Sequence, residues 1–276
     1  DFNSQDIPKK GKTALVLISQ SGETKDLHRC IQIAKEKDLI TIGVINVVDS
    51  LIAREVDCGC YLNGGREVAV ASTKAFSSQV IVLCMMAIWF SQQKDINYSL
   101  RIKYIQDLHN LSNDIEETIN ISLKNIPSFI SLFKDFSSCF LLGKKNGEAI
   151  AKEGALKIKE ISYIHAEGYN SSSLKHGPFA LLTINFPVII IAPKDENYSK
   201  NDNCYQEIIS RQANILFITD HNDDENKKNK IIIPQNNTFK DLLSVIPIQV
   251  LAYQLSISKG INPDMPRNLA KVVTVE

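Results

Sequence analysis

The sequence predicts an α/β fold made of two parallel sheets, each flanked by helices. Short runs rich in β-branched residues alternate with longer segments of helical periodicity, which is the pattern of a parallel sheet. The alternation starts again near the middle of the chain, so the second half repeats the scheme of the first. A chain of 276 residues also suits two domains of about 130 residues, each able to bury a core.

In the first half, β-branched runs predict strands and amphipathic periodicity predicts helices. The predicted strands are Thr13–Ile18, Thr41–Ile45 and Cys58–Leu62. The predicted helices are Asp26–Lys37 and Thr73–Gln93. The segment Ser99–Leu123 has a polar–apolar helical pattern and is expected to join the two halves.

The second half repeats this scheme with one more unit. Its predicted strands are Cys139–Leu142, Val188–Ala192, Ile215–Thr219 and Ile231–Ile233. Its predicted helices are Glu148–Ser162, Asn197–Ala213 and Asp241–Lys259, and the polar linker His221–Lys230 is interpreted as a solvated loop. Aligning the ends of the halves leaves the first short of one leading strand–turn–helix unit. We therefore expect a first domain at residues 1–124, incomplete at its start, and a second at 125–276.

Charge and hydropathy argue against two classes of partner. The chain has 31 basic and 31 acidic residues, so no net charge favours nucleic acid or an anionic membrane. The longest apolar runs, near Val80–Phe90 and Phe186–Ala192, are shorter than a bilayer span. The sequence shows no signal peptide. Its first residue is Asp and not Met, so we interpret the chain as a fragment.

The cysteines indicate a reducing compartment. None of them forms a Cys-x-x-Cys pair, and most lie in apolar segments, as buried thiols do. They are Cys30, Cys58, Cys60, Cys84, Cys139 and Cys204. We therefore expect a cytoplasmic protein without a zinc site.

The segment from Glu153 to Gly177 concentrates groups that move protons. On a helix, Glu153, Lys157 and Glu160 share one narrow stripe. The side expected to pack carries Gly154, Ile158, Ile161 and His165, and a second histidine, His176, follows in a Lys-His-Gly-Pro turn. Acids, an amine and imidazoles together suit proton transfer at a carbonyl. The alternative is a solvated helix with ordinary surface ion pairs.

A hydroxyl-rich turn, Ser19–Thr24, lies between a predicted strand and a predicted helix. Free N–H groups at a helix start, hydroxyls and the helix dipole together favour a phosphate. The carboxyl end of a parallel strand is also where open α/β sheets bind ligands. The alternative is an ordinary helix cap, with Ser21 at the N-cap.

Two further segments are less informative alone. The segment Glu67–Lys74 precedes a long predicted helix, and Ser72 or Thr73 is a suitable cap for it. The C-terminal segment Pro266–Glu276 has the composition of an ordinary tail. Neither the histidine spacings nor the neighbouring acids match a zinc site.

Read together, five segments resemble the isomerase part of the glutamine–fructose-6-phosphate aminotransferase family. They are SQSGET (Ser19–Thr24), VASTKAF (Val70–Phe76), EGALKIKEISYIHAEG (Glu153–Gly168), LKHGP (Leu174–Pro178) and PRNLAK with VTVE at the end. One such motif is a modest indication, whereas all five in this order are specific. The resemblance implies two sugar isomerase (SIS) domains, each a flavodoxin-like parallel sheet with helices on both faces.

The resemblance also implies which residues bind the substrate. The phosphate of fructose 6-phosphate would be held by the residues of the hydroxyl turn, Ser19, Gln20, Ser21 and Thr24. The sugar would be lined by Val70, Ser72 and Ala270.

The resemblance further implies distinct catalytic roles. Lys271 would form a Schiff base with the ketose, Glu160 would move a proton between C1 and C2, and His176 of a partner subunit would open the ring. The supporting groups would be Glu153, Lys157 and His165. The residue types suit these roles, since amines add to carbonyls and carboxylates and imidazoles transfer protons near neutral pH. No metal or redox cofactor is required.

This resemblance predicts an enzyme that makes glucosamine 6-phosphate from fructose 6-phosphate and glutamine-derived ammonia, the first step of the hexosamine (UDP-N-acetylglucosamine) pathway. The family's glutaminase domain is expected to be missing from this chain. A histidine supplied in trans requires at least a homodimer. Two other functions stay open: a sugar-phosphate deaminase or deglycase, and a non-catalytic sugar-phosphate sensor. Feedback inhibition by UDP-N-acetylglucosamine, a property of eukaryotic-type relatives, stays open as well.

Overall fold

A computed structural model describes residues 2–222 and 227–271 of the chain. The chain divides into two compact units. Unit 1 contains the residues up to Ile96 together with the tail from Asn268, and unit 2 contains Asn97–Arg267. The division differs from the expected boundary after residue 124, because the long helix at 98–125 packs against the last helix of unit 2. The tail likewise belongs to unit 1 and not to the second domain.

Unit 1 is built on a three-stranded parallel sheet in the order β1-β2-β3. Its strands are β1 (Ala14–Ser19), β2 (Ile40–Ile45) and β3 (Cys58–Tyr61). Its helices are α1 (Lys25–Glu36), α2 (Leu51–Glu55) and α3 (Lys74–Gln93). All of these elements except α2 lie within a residue of their predicted bounds. Helix α2 was not predicted, since five residues are too few to show a helical period.

The core of unit 1 lies on one face of its sheet. Leu17 and Ile45 of the sheet pack there with Ile31 of α1 and Ile52 of α2. Side chains alternate between the faces of a strand, so the neighbours of Leu17 point the other way. Val16 is exposed there, which leaves the second face of β1 open to solvent.

Helix α3 is long and apolar, and Ala75 is its buried residue. By length and composition alone, α3 and the last helix of unit 2 are each long and apolar enough to cross a membrane. The sequence-based argument counted only uninterrupted apolar runs and missed both helices. The last helix is mostly buried within the fold, and core helices pass the same test, so this is weak evidence for a membrane.

Unit 2 carries a five-stranded parallel sheet in the order β5-β4-β6-β7-β8. Its strands are β4 (Ser138–Gly143), β5 (His165–Asn170), β6 (Pro187–Ile191), β7 (Asn214–Thr219) and β8 (Lys230–Ile232). Its helices are α4 (Tyr98–Asn125), α5 (Asn146–Ser162), α6 (Tyr198–Ile209) and α7 (Lys240–Ser258). Short 3-10 helices lie at Ile126–Leu132, Ser173–His176 and Pro178–Leu181. The predicted α/β class with two helix-flanked parallel sheets is confirmed.

Strand β5 was not predicted, and the prediction that His165 lies on the packing side of the helix is wrong. Helix α5 ends at Ser162 because Tyr163 adopts a left-handed conformation, with φ of 58°. The chain then pairs with β4, and His165 lies opposite Ser138. The sequence HAEGYN hides the strand, because it has few of the β-branched residues that mark one.

The two sheets share the order of their last three strands. Strands β1-β2-β3 of unit 1 correspond to β6-β7-β8 of unit 2, and β4 and β5 continue the larger sheet beyond β6. The difference between the halves is therefore β4, α5 and β5, one strand more than the expected leading unit. Strand β6 is buried throughout, since it lies between two strands and beneath helices.

Gly154 lets α5 lie close to α7 in the core of unit 2. A Cβ at this position would come within 2.7 Å of the Ile248 side chain and 3.0 Å of Leu141. The predicted packing side of α5 is confirmed for Gly154, Ile158 and Ile161, all of which are buried. The close contact fixes the position of the helix that also carries the charged stripe.

The cysteines are less uniformly buried than expected. Cys139 and Cys204 are buried, and burial raises the pKa of each thiol to about 12. Cys58 is exposed because β3 is the edge strand of the smaller sheet, so the prediction of a buried thiol is wrong there.

The loop after β7, expected to be solvated throughout, contains a buried lysine. Lys227 forms an ion pair with Asp202, with Nζ 2.8 Å from Oδ1. Its ammonium also lies 4.8 Å from the ring centre of Phe217 and 5.1 Å from that of Tyr205. A cation over aromatic faces is stabilised there, which explains why this lysine leaves the solvent.

Candidate active site

The hydroxyl turn lies at the carboxyl end of β1, as predicted. Ser19 is the last residue of the strand, and its Oγ accepts a hydrogen bond from the N–H of Gly22 at 2.9 Å. The Oγ atoms of Ser19 and Thr24 are 3.4 Å apart. The N-cap of α1 is Thr24, which makes no side-chain cap bond, so the alternative reading of Ser21 as the N-cap is wrong. The turn thus brings several hydroxyls to a helix start, an arrangement that suits an anion.

Gly22 fixes the shape of this turn. Its φ of 68° is in the left-handed region, and a Cβ there would lie 1.9 Å from Ser50 Oγ. The carbonyl of Gly22 also accepts the N–H of Ile52, and the carboxylate of Glu23 accepts that of Leu51. The turn is therefore held against the start of α2.

We expect Gly22→Ala to destabilise unit 1 by about 1–3 kcal/mol, because the added methyl overlaps Ser50 in a strained backbone. Gly11→Ala is the matched control, since Gly11 also has positive φ but has open space around its Cα. Urea unfolding followed by the fluorescence of Trp89, the one tryptophan of the chain, reports on unit 1. Equal losses in the two variants would contradict the steric argument.

The loop before α3 is organised by Glu67 and not by a hydroxyl. Thr73 is the N-cap but makes no side-chain cap bond. Oε1 of Glu67 accepts the N–H of Thr73 at 2.8 Å and that of Ala75 at 3.4 Å. The expectation that Ser72 or Thr73 caps the helix is therefore corrected. The buried carboxylate of Glu67 serves the free N–H groups instead.

Lys271, from the C-terminal tail, extends its side chain to this loop. Its Nζ is 3.2 Å from Glu67 Oε2, 3.1 Å from Ser72 Oγ and 3.5 Å from the carbonyl oxygen of Val70. Ala270 precedes it and is exposed. The predicted sugar-lining residues thus lie beside the predicted nucleophile in unit 1. The final VTVE motif lies outside the described residues.

The environment keeps the Glu67 carboxyl ionised. Burial raises its pKa, but the N–H of Thr73, the ammonium of Lys271 and the N–H of Ala75 together outweigh burial. The pKa of Glu67 is therefore below its ordinary value. The sequence-based analysis missed this residue because it considered only the hydroxyls of the segment Glu67–Lys74.

The charged stripe of α5 is a buried ion-pair cluster. Lys157 is only 4% exposed, and its Nζ lies 2.7 Å from Glu160 and 3.6 Å from Glu153. Lys159, off the stripe, is exposed. The alternative of a solvated face is therefore wrong, and the predicted juxtaposition of Glu153, Lys157 and Glu160 is confirmed.

The surroundings of Glu153 disfavour the ionised form of its carboxyl. Burial raises the pKa of its carboxyl above the ordinary value, although the Lys157 ammonium acts to lower it. The negative charge of Glu160 adds to the rise. One lysine thus balances two half-buried carboxylates on adjacent turns of α5.

The two histidines do not join the cluster by any described hydrogen bond or ion pair. His165 opens β5, its side chain is 68% exposed, and its Nε2 lies 3.4 Å from Glu167 Oε1. The hydroxyl of Tyr169 donates to the same carboxylate. His176 is exposed at the end of the 3-10 helix Ser173–His176. The described part of the chain also contains no group of three metal-ligating side chains.

The comparisons with known proteins identify the family. The model described as "SIS domain" matches residues 10–89 and 132–259, more than half of the chain. The chain belongs to the SIS domain family. Both matched segments end before Lys271, so the candidate nucleophile lies in an SIS chain but outside the segments matched to the family.

Among the relatives of this SIS chain is a probable glutamine–fructose-6-phosphate aminotransferase (isomerizing) of Acanthamoeba polyphaga mimivirus. The two are 52% identical over 277 residues, which is all of this chain and 45% of the relative. The SIS chain thus spans less than half the length of that curated relative, and its likeness to the aminotransferase family is continuous from end to end.

Solved structures of sugar-phosphate enzymes have a similar fold. The C-terminal domain of glucosamine-fructose-6-phosphate aminotransferase from Francisella tularensis is 30% identical, with a TM-score of 0.86 over 93% of this chain and 75% of that one. A glucosamine-6-phosphate deaminase from Thermotoga maritima is 26% identical, with a TM-score of 0.78 over 98% and 78% of the two chains. The fold of this SIS chain is therefore that of sugar-phosphate enzymes.

Proposed function

We propose that this SIS chain is the isomerase part of an enzyme that converts fructose 6-phosphate and ammonia into glucosamine 6-phosphate. The observation that carries the proposal is the position of Lys271. Its amine is held beside Ser72, Val70 and Glu67 in the unit that also contains the hydroxyl turn. The identity of 52% to an aminotransferase over the whole chain supports the same reaction.

The hydroxyl turn is the proposed phosphate site. Its four residues are Ser19, Gln20, Ser21 and Thr24. Hydroxyl and amide donors at the start of α1 suit the binding of a phosphate. Because the phosphate is remote from the reacting carbons, its binding energy positions the carbonyl of the open-chain sugar.

Lys271 is the proposed nucleophile. Its Nζ forms an imine with the carbonyl at C2, and the imine acidifies the hydrogen on C1. Ser72 and Val70, with Ala270, are the proposed contacts of the sugar. The extended loop presents backbone and hydroxyl oxygens there, which suit the hydroxyls of an open-chain sugar.

Glu160 is the proposed base and acid for the transfer of a proton between C2 and C1. It lies at the edge of the buried cluster, where Lys157 fixes the position of its carboxylate at 2.7 Å. Glu153 shares that lysine and completes the cluster. A carboxylate held in one place returns the proton to the neighbouring carbon more efficiently than a mobile one.

His176 is the proposed catalyst of ring opening, acting in the partner subunit of a homodimer. Its exposed position at the end of a short 3-10 helix supports a role toward another chain. His165 is the proposed supporting histidine of β5. We further propose a cytoplasmic enzyme that takes ammonia from a glutaminase domain and opens the hexosamine pathway.

A second candidate is a sugar-phosphate deaminase. The observation that favours it is the 26% identity to a solved glucosamine-6-phosphate deaminase over 98% of this chain. This reading uses the same imine in the opposite direction, so the residues alone do not separate the two. It predicts no glutaminase domain in the same polypeptide, and the reading frame upstream of Asp1 decides between them.

The proposal is tested by measuring glucosamine 6-phosphate formed from fructose 6-phosphate and ammonium salt. We expect Glu160→Gln to lower kcat by a factor of about 10²–10⁴, because it removes the proton acceptor, with little change in KM. Glu117→Gln, an exposed glutamate on α4, is the control and should keep normal activity. A kcat for Glu160→Gln close to that of the control would refute the assigned role.

A further inference from the structure

Glu67 is the one acid that contacts the proposed nucleophile among the described residues, and the proposed mechanism gives it no role. Its Oε2 lies 3.2 Å from Lys271 Nζ. Relying on the proposed function, we propose that Glu67 is the acid–base group of imine formation: it takes a proton from Lys271 and returns it to the departing hydroxyl of the sugar.

The geometry separates the two oxygens of Glu67. Oε1 is occupied by the N–H groups of Thr73 and Ala75 at the start of α3. Oε2 is left for the amine of Lys271. The side chain is only 5% exposed, so the backbone of α3 holds the carboxylate in place. A structural cap needs only the first oxygen, whereas the second is directed at the reacting nitrogen.

The cation beside Glu67 is Lys271, whereas the ammonium of Lys74 is engaged elsewhere. Lys74, which follows in the same segment, donates its ammonium to the carbonyl oxygen of Arg66 at 2.9 Å. The positive charge that acts on Glu67 is that of Lys271. Hydrogen bonds from the helix start keep the carboxyl ionised, so it is able to accept a proton at neutral pH.

The step balances with the groups present. Glu67 removes one proton from the ammonium, and the neutral amine adds to the C2 carbonyl. A carbon–nitrogen bond forms, the π bond of the carbonyl breaks, and a second proton moves from nitrogen to oxygen, giving a carbinolamine. Glu67 then protonates the hydroxyl, the carbon–oxygen bond breaks, and water leaves. The iminium retains one positive charge and Glu67 is again a carboxylate.

The test is the rate at which borohydride traps the imine of fructose 6-phosphate on Lys271, followed by mass spectrometry of the peptide. We expect Glu67→Gln to slow trapping by a factor of about 10² or more near neutral pH, the usual contribution of an acid–base group. Its amide oxygen still accepts the N–H of Thr73, so the cap is kept. Glu67→Asp, which retains a carboxylate, should recover part of the rate.

Two controls separate this inference from the proposed function. Asp57 is another carboxylate of unit 1 that accepts a backbone N–H, that of Thr41 at 2.8 Å. In the Asp57→Asn variant, borohydride should trap the imine at the normal rate. Lys271→Arg should not trap at all, and trapping there would overturn the proposed nucleophile. If Glu67→Gln traps as fast as Asp57→Asn while Lys271→Arg does not trap, Glu67 is only a helix cap and the inference fails. If trapping is slowed by the same factor in Glu67→Gln and Glu67→Asp, the carboxylate gives no advantage over the amide, and the acid–base role of Glu67 is refuted as well.

Discussion

Replacing Lys271 by arginine is expected to abolish formation of glucosamine 6-phosphate, with a loss in kcat on the order of 10³ or more. Arginine keeps the positive charge beside Glu67, so the local ion pair survives. Its guanidinium stays protonated at neutral pH and does not add to a carbonyl. The proposed phosphate site is the separate turn at Ser19–Thr24, so the dissociation constant for fructose 6-phosphate should change little.

The measurement combines product formation with calorimetric binding of fructose 6-phosphate. Lys74→Arg is the matched control, since Lys74 lies in the same segment, is exposed and donates to a backbone carbonyl. We expect that variant to keep its activity within about twofold, as surface substitutions usually do. An active Lys271→Arg variant would require a mechanism without the imine. If Lys271→Arg no longer binds fructose 6-phosphate, Lys271 contributes to substrate binding and its loss of activity does not identify a nucleophile.

Much of the fold was predictable because its strands are rich in β-branched residues. Strand β6 (PVIII) is apolar throughout and β7 (NILFIT) is apolar in its middle, as expected for a parallel sheet covered on both faces. Strand β5 was missed for the opposite reason. It lies at the sheet edge, contains Glu167 and Gly168, and has no apolar run. Tertiary pairing with β4 makes this segment a strand, and local sequence does not show such pairing.

The candidate site was predictable in its residue types and less so in its contacts. The spacing of Glu153, Lys157 and Glu160 predicted one stripe, and the structure confirms it. The burial of Lys157 was not predictable, because it depends on distant parts of unit 2. The contact of Glu67 with Lys271 joins residues 204 positions apart. No local pattern encodes such a distance.

The buried cluster on α5 leads to the largest expected effect on stability. Lys157→Met should lower the free energy of unfolding at pH 7 by about 3–5 kcal/mol, because it leaves Glu153 and Glu160 without their cation in a half-buried site. Methionine keeps the length of the side chain, so the loss reports charge and not a cavity. Lys159→Met, at an exposed position on the same helix, should change stability by no more than about 0.5 kcal/mol.

The pH dependence provides an independent check. Burial already raises the pKa of Glu153, and Lys157 acts against that rise. Without the lysine the folded-state pKa of Glu153 should rise further above the unfolded value of about 4.3. The folded state then binds more protons than the unfolded one, so stability should fall as pH rises through this window. Urea unfolding followed by circular dichroism should show a smaller defect for Lys157→Met at pH 5 than at pH 7. A defect that is the same at both pH values, or shared by Lys159→Met, would mean that the cluster is held by packing and not by charge.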